Sequence, residues 1–161
     1  MIKFLFFDYR DYEYVRGATR RLERPRKHRD TPFLVSDKPW EGNSMTMYGS
    51  VLRRPDDGLF QMWYSLVNEN GISLAYAESD DGIEWRRVLG DKHPYEDKPT
   101  NIVMDASPHG ATVMYDERED RPGWKYKLLC GAKPSHRISA FRSPDGINWF
   151  SLPKNPVMGS N

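Results

Sequence analysis

Two seven-residue stretches of this chain spell the same turn. They are Ser79-Asp80-Asp81-Gly82-Ile83-Glu84-Trp85 and Ser143-Pro144-Asp145-Gly146-Ile147-Asn148-Trp149. Both read S-x-D-G-I-x-W, and their serines stand 64 positions apart. Recurrence at that distance means a chain assembled from copies of one supersecondary unit. The residue types say what the unit does locally. An Asp in a turn accepts backbone N–H groups, and the following Gly takes the positive φ that a hairpin needs. The Ile and Trp then place apolar bulk where neighbouring sheets stack. Asp81 and Asp145 are therefore read as turn-makers rather than catalysts, and Trp85 and Trp149 as equivalent, largely buried wedges.

The segments before each turn read as strands. In the first unit these are Met47 to Leu52, Leu59 to Tyr64 and Ile72 to Ala77, with Trp85 to Val88 after the turn. Pro55-Asp56-Asp57-Gly58 and Asn68-Glu69-Asn70-Gly71 separate them as further turns. In the second unit, Ala111 to Tyr115, Trp124 to Cys130 and Ile138 to Phe141 precede the turn, and Trp149 to Leu152 follow it. Aromatic residues make up 13% of the chain, a bias toward strands that also argues against disorder. Four short antiparallel strands, repeated, are the signature of propeller blades. The predicted fold is all-β, a β-propeller fragment of about two four-stranded antiparallel blades plus an N-terminal strand region. Its expected divisions are an N-terminal strand and loop region over 1–44, a first blade over 45–88, a second over 102–152, and the start of a third over 153–161.

The N-terminal region opens on a predicted strand, Lys3 to Phe7, followed by a polar–aromatic stretch from Tyr9 to Tyr14. A basic run from Arg16 to Arg29 is broken by Pro25 and reads as a solvated connector, or alternatively as an arm that contacts an anionic ligand. Lys+Arg is 24 against Asp+Glu 23, so the global charge offers nothing to a polyanion. No nucleic-acid recognition motif accompanies the basic run. The longest strongly apolar stretch, Phe4 to Phe7, is far too short to span a membrane. A single cysteine, Cys130, excludes an internal disulfide and any multi-cysteine metal site, and fits either a cytoplasmic or an extracytoplasmic location. His28, His93, His109 and His136 lack metal-ligand spacing, so neither metal nor cofactor is expected.

Several motifs together resemble the five-bladed β-propeller glycosidases, most closely uncharacterised proteins near glycoside hydrolase families 32, 43 and 68. They are Pro39-Trp40-Glu41, Gly49-Ser50-Val51-Leu52, Met62-Trp63-Tyr64, the two S-x-D-G-I-x-W turns and Asn155-Pro156-Val157. The turns are also similar to a shortened sialidase aspartate box. The resemblance implies hydrolysis of O-glycosidic bonds by two carboxylates flanking the bond. In that superfamily carboxylates stand at the starts of the innermost strands. Here those starts, near Met47-Tyr48-Gly49 and His109-Gly110-Ala111, carry no acid, and the Arg-Asp-Pro triplet of families 32 and 68 is missing. Five such blades would need about 300 residues or more, against 161 here. The expectation is thus a fragment, or a chain that self-associates through an exposed blade face.

The acids left to rim a central funnel are Asp8, Asp37, Glu41 and Asp105, one of them the candidate in-chain nucleophile or base, with a second acid expected from outside this chain. Trp40, in a polar loop between Pro39 and Glu41, is the candidate sugar-stacking platform or, equally, a plug over the sheet end. Asn101 and His109 are candidates for hydroxyl contacts. The leading reading is a glycosidase acting on a carbohydrate substrate with part of its site outside this chain; the second is a non-catalytic propeller module that binds a glycan or a protein. The missing acids at the inner-strand starts favour the second.

Overall fold

The computed structural model describes residues 13–19, 21, 23–68, 71–133 and 137–159. It divides into two compact units, Met1–Thr31 and Pro32–Asn161. In the first, the described residues form neither helix nor strand, and Arg21 pairs with Glu23 at 2.9 Å. The strand expected at Lys3 to Phe7, and Asp8 after it, lie outside the described residues, as does most of the Tyr9 to Tyr14 stretch.

Among its described residues the second unit is all-β, with a single 3-10 turn at Pro39–Glu41. Four strands form the first antiparallel sheet in sequence order: β1 (Ser44–Arg53), β2 (Phe60–Asn68), β3 (Gly71–Ser79) and β4 (Arg86–Arg87). A hairpin of β5 (Gly90–Tyr95) and β6 (Lys98–Thr100) follows, and then β7 (Ile102–Met104), which pairs with β3 beside β4. The second sheet runs β8 (His109–Tyr115), β9 (Tyr126–Ala132), β10 (Arg137–Ser143) and β11 (Phe150–Ser151). The innermost strands β1 and β8 lie side by side, and the Val113 N–H donates to Ser50 Oγ at 2.9 Å. Two four-stranded meanders meeting in this way are adjacent blades of a β-propeller.

The β5–β6 hairpin and β7 were not among the expected strands. Its sequence, with Pro94 and many charges, lacks apolar alternation. The turn residues Glu96 and Asp97 close it with φ of 48° and 62°, the left-handed pair of a tight hairpin. Thr100 Oγ1 ties it by donating to the His93 carbonyl at 2.6 Å.

Alternation sorts each blade into two faces. One face of the first blade, with Trp63, Leu74 and Tyr76, packs on Val113, Tyr126, Leu128 and Cys130 of the second to form the main core. Its other face carries Tyr64, Leu66, Ala75 and Ala77, which Leu34, Trp40, Met45, Met62, Trp85 and Ile102 partly cover. Burial in the main core pushes the Cys130 thiol up to about 11, so it stays a protonated apolar filler.

Three polar side chains inside the inter-blade core, Gln61, Tyr76 and Tyr126, are linked in one chain. Tyr126 donates to Gln61 Oε1 at 2.8 Å, Gln61 Nε2 donates to Tyr76 Oη at 2.6 Å, and Tyr76 donates to Glu78 at 2.8 Å. Such a chain stabilises one docking geometry because each break would strand a desolvated group. β1 needs Gly49 for close approach: a Cβ there would lie 2.0 Å from the Trp63 carbonyl oxygen.

Candidate functional site

A cleft of about 660 Å³ opens where β1 begins, β2 ends and β3 starts. One wall is the 3-10 turn, with Trp40, Gly42 and Asn43. The opposite wall is the β5 hairpin strand, with Lys92, His93 and Tyr95, and the floor carries Ser73, Ile102 and Asp105.

The Trp40 wall is rigid for a chain of reasons. Pro39 starts the 3-10 turn with its φ preset, and Gly42 ends it at φ 67°. Inside the turn, Glu41 is fully buried and both its oxygens are occupied. Its carboxylate accepts the N–H groups of Asp37 and Lys38 at 2.9 and 3.1 Å, and takes Arg87 in a bidentate pair at 2.6 and 2.9 Å. Burial opposes the charge of Arg87, and Glu41 restores it, so the guanidinium ends above its ordinary value. Arg87 also bonds the Val35 carbonyl at 2.7 Å and Asp37 at 3.0 Å. Removing one partner of such a pair leaves the other charge buried, at a cost of about 3–5 kcal/mol.

Trp40 itself is held from behind. Its indole N–H donates to Asn101 Oδ1 at 2.8 Å. Asn101 is fully buried and donates to Tyr64 Oη at 2.7 Å and to the Tyr76 carbonyl at 2.9 Å. Burial pushes the Tyr64 hydroxyl up to about 12, so it remains protonated. The indole edge is thereby fixed while the half-buried ring lines the cleft.

On the floor, Asp105 is exposed and accepts the Ser73 hydroxyl at 2.6 Å, which orients the carboxylate. Across from it, burial pulls the His93 imidazole below its usual value, and the negative charge of Asp105 works in the other direction. The cleft thus offers an imidazole and a carboxyl group, with Lys92 at the same wall. An aromatic ring, amides, hydroxyls and one oriented acid form a surface suited to a polyol.

Asp8 lies outside the described residues, and the other expected residues divide three ways. Trp40 and Asp105 line the cleft, with Asn101 directly behind Trp40 as its support. Asp37 and Glu41 are engaged with Arg87 beneath the turn. His109 is outside the cleft lining, stacked edge-on with Tyr48 at 5.1 Å between the two inner strands. His93, Tyr95 and Ser73 were not singled out from the sequence. His93 and Tyr95 belong to a hairpin without strand periodicity, and Ser73 joins the site only through its distant partner Asp105.

No family model matches the sequence, and no curated protein matches it. Two of the solved structures similar to part of it are the following. One is described as showing that the GH130 family of mannoside phosphorylases contains glycoside hydrolases that target β-1,2 mannosidic linkages in Candida mannan. It aligns with a TM-score of 0.44 and 16% identity, over 65% of this chain and 29% of that one. The other is a glycosyl hydrolase from Bacteroides ovatus, with a TM-score of 0.42 and 20% identity, over 62% of this chain and 28% of that one. The chain thus spans less than a third of the length of either structure.

Proposed function

We propose that this chain is carbohydrate-active and that the cleft beside the 3-10 turn is its sugar-binding site. The observation that carries the reading is the Trp40 indole, pinned through Asn101 at the edge of a cleft whose floor presents Asp105. Sugars bind by laying their apolar C–H face on an aromatic ring while their hydroxyls bond amides and carboxylates around it. Trp40, Tyr95, Asn43, Asn68 and Ser73 supply both kinds of contact. In the hydrolytic form of the proposal, Asp105 is the in-chain acid or base, aimed by Ser73.

Hydrolysis by two carboxyl groups needs them about 5–5.5 Å apart for retention and about 6.5–9.5 Å for inversion. Asp105 is the one carboxylate among the described residues lining the cleft. That observation favours glycan binding without turnover by this chain as it stands. Isothermal titration against mannan, fructan and aryl-glycoside panels tests both forms. Binding that Trp40→Ala weakens about tenfold or more supports the reading. Turnover abolished by Asp105→Asn would establish hydrolysis, and wild-type affinity in the Trp40→Ala protein would refute the site.

A further inference from the structure

The two blades carry two open faces, and the internal repeat says what fits them. Residues correspond through their pairing with the shared turn. Trp63 lies opposite Tyr76, three residues before Ser79, and Leu129 lies opposite Ala140, three residues before Ser143. The face that the first blade lays on the second, with Leu52 and Trp63, corresponds to Met114 and Leu129. In the second blade that face is open: Met114 is 50% and Leu129 46% exposed. Conversely, the second blade receives its neighbour on Val113 and Leu128, whose counterparts are Val51 and Met62. Those two line an open, largely apolar groove of about 450 Å³ with Gly82 and Trp85, and Val51 is 47% exposed.

We propose that a second copy of this chain docks head to tail, the outer face of its second blade entering the first-blade groove. The chemistry of the two turns fits this occupant. Inside the chain, Trp63 donates its N–H to the Gly146 carbonyl at 2.7 Å. At the open groove the equivalent carbonyl, Gly82, already accepts Trp85 at 3.2 Å. The residue that would arrive there is Leu129, whose side chain has no N–H to place. A donor meets an open acceptor within the chain, and an apolar residue meets a satisfied one between copies. The contact is heterologous, so it closes into a ring when its rotation allows. Propellers of about 4–8 blades would take roughly two to four such copies.

Sedimentation velocity over roughly a hundredfold concentration range tests the association by mass action. Three proteins are compared: the wild type, Leu129→Glu and Val51→Glu, each first checked for an intact fold by circular dichroism. The expected result is a closed oligomer for the wild type and monomer for each variant alone. An equimolar mixture of the variants should form a one-to-one pair, because each retains the face the other has lost. A variant that fails to fold is replaced by Met114→Gln or Val51→Thr in the same role. A monomeric wild type overturns the proposal and assigns the groove to another occupant. Variants that still associate, or a mixture that forms no pair, overturn it as well.

Discussion

The Ser79–Trp85 and Ser143–Trp149 turns are built alike and used differently. In the first, Ser79 Oγ accepts the Gly82 N–H at 2.8 Å, and Asp81 accepts Ile83 and Glu84 at 2.8 and 2.9 Å. In the second, Ser143 accepts Gly146 at 2.9 Å, and Asp145 accepts Ile147 and Asn148 at 2.9 and 2.7 Å. Gly82 and Gly146 sit at φ 75° and 80°. Their surroundings differ. The second turn receives Trp63 from the first blade on its Gly146 carbonyl, and Trp149 is 8% exposed. Its indole N–H has no hydrogen-bond partner among the described residues. The first turn faces the open groove, and half-buried Trp85 keeps its own Gly82 carbonyl. Identical local sequence therefore sets the turn, and the neighbouring blade sets what the turn supports. Trp149 is 8% exposed, whereas Trp85, expected to be equally buried, is half-buried beside the open groove.

The largest effect that tests this contrast comes from Trp149→Ala. It should cost about 3–5 kcal/mol in urea denaturation, as deletion of a buried aromatic does. Trp85→Ala should cost about half as much, in proportion to the area it removes from water. Equal losses would mean that the first turn is as enclosed as the second.

Glycine replacement comes next. Alanine at either position meets the left-handed backbone, worth about 1–2 kcal/mol. At Gly146 the new Cβ would also lie 2.6 Å from the Trp63 ring, whereas at Gly82 it would meet Phe60 at 3.6 Å. Gly146→Ala should therefore lose a further ~1–3 kcal/mol through overpacking. Matching denaturation midpoints for the two variants would break the contrast.

The smallest effect is on acid stability. Both turn carboxylates lie below the ordinary Asp value. At Asp145 burial pushes upward, and the N–H groups of Asn148 and Ile147 outweigh it. At Asp81 the N–H groups of Glu84 and Ile83 act with little burial. A carboxylate with a lowered folded value stabilises the fold above its unfolded value, near 4, and this is lost as pH falls through the folded value. Urea midpoints followed from pH 7 to pH 2 should fall less steeply in Asp145→Asn than in wild type. In Asp81→Asn the flattening should be weaker, since water screens the exposed carboxylate.

Much of the blade architecture can be read along the chain, because it rests on local chemistry. Asp81 and Asp145 bond backbone two and three residues ahead. Pro55 to Gly58 closes a hairpin, and Met62-Trp63-Tyr64 alternates between two faces whatever lies against them. The candidate site is legible only in part. Trp40 stood out as an aromatic in a polar loop, and Asp105 as an acid just before an inner strand. Glu41 looked the same as Asp105 in sequence, and only the arrival of Arg87, 46 positions on, turned it into a buried ion pair under the turn. Asn101 read as a residue for hydroxyl contacts and lies behind Trp40, because Tyr64 and the Tyr76 carbonyl occupy its amide from the buried side.

The sequence by itself determined the repeat, the turns, the strand alternation and the all-β class, since each depends on residues within a few positions of one another. Tertiary structure alone decided which tryptophan is enclosed, which acids face the cleft and which blade face stays open. Those outcomes depend on distant partners, such as Ser73, 32 positions from Asp105, and Trp63, 83 positions from Gly146. Burial and pairing at that distance follow from how two sheets dock, and no local pattern encodes the docking.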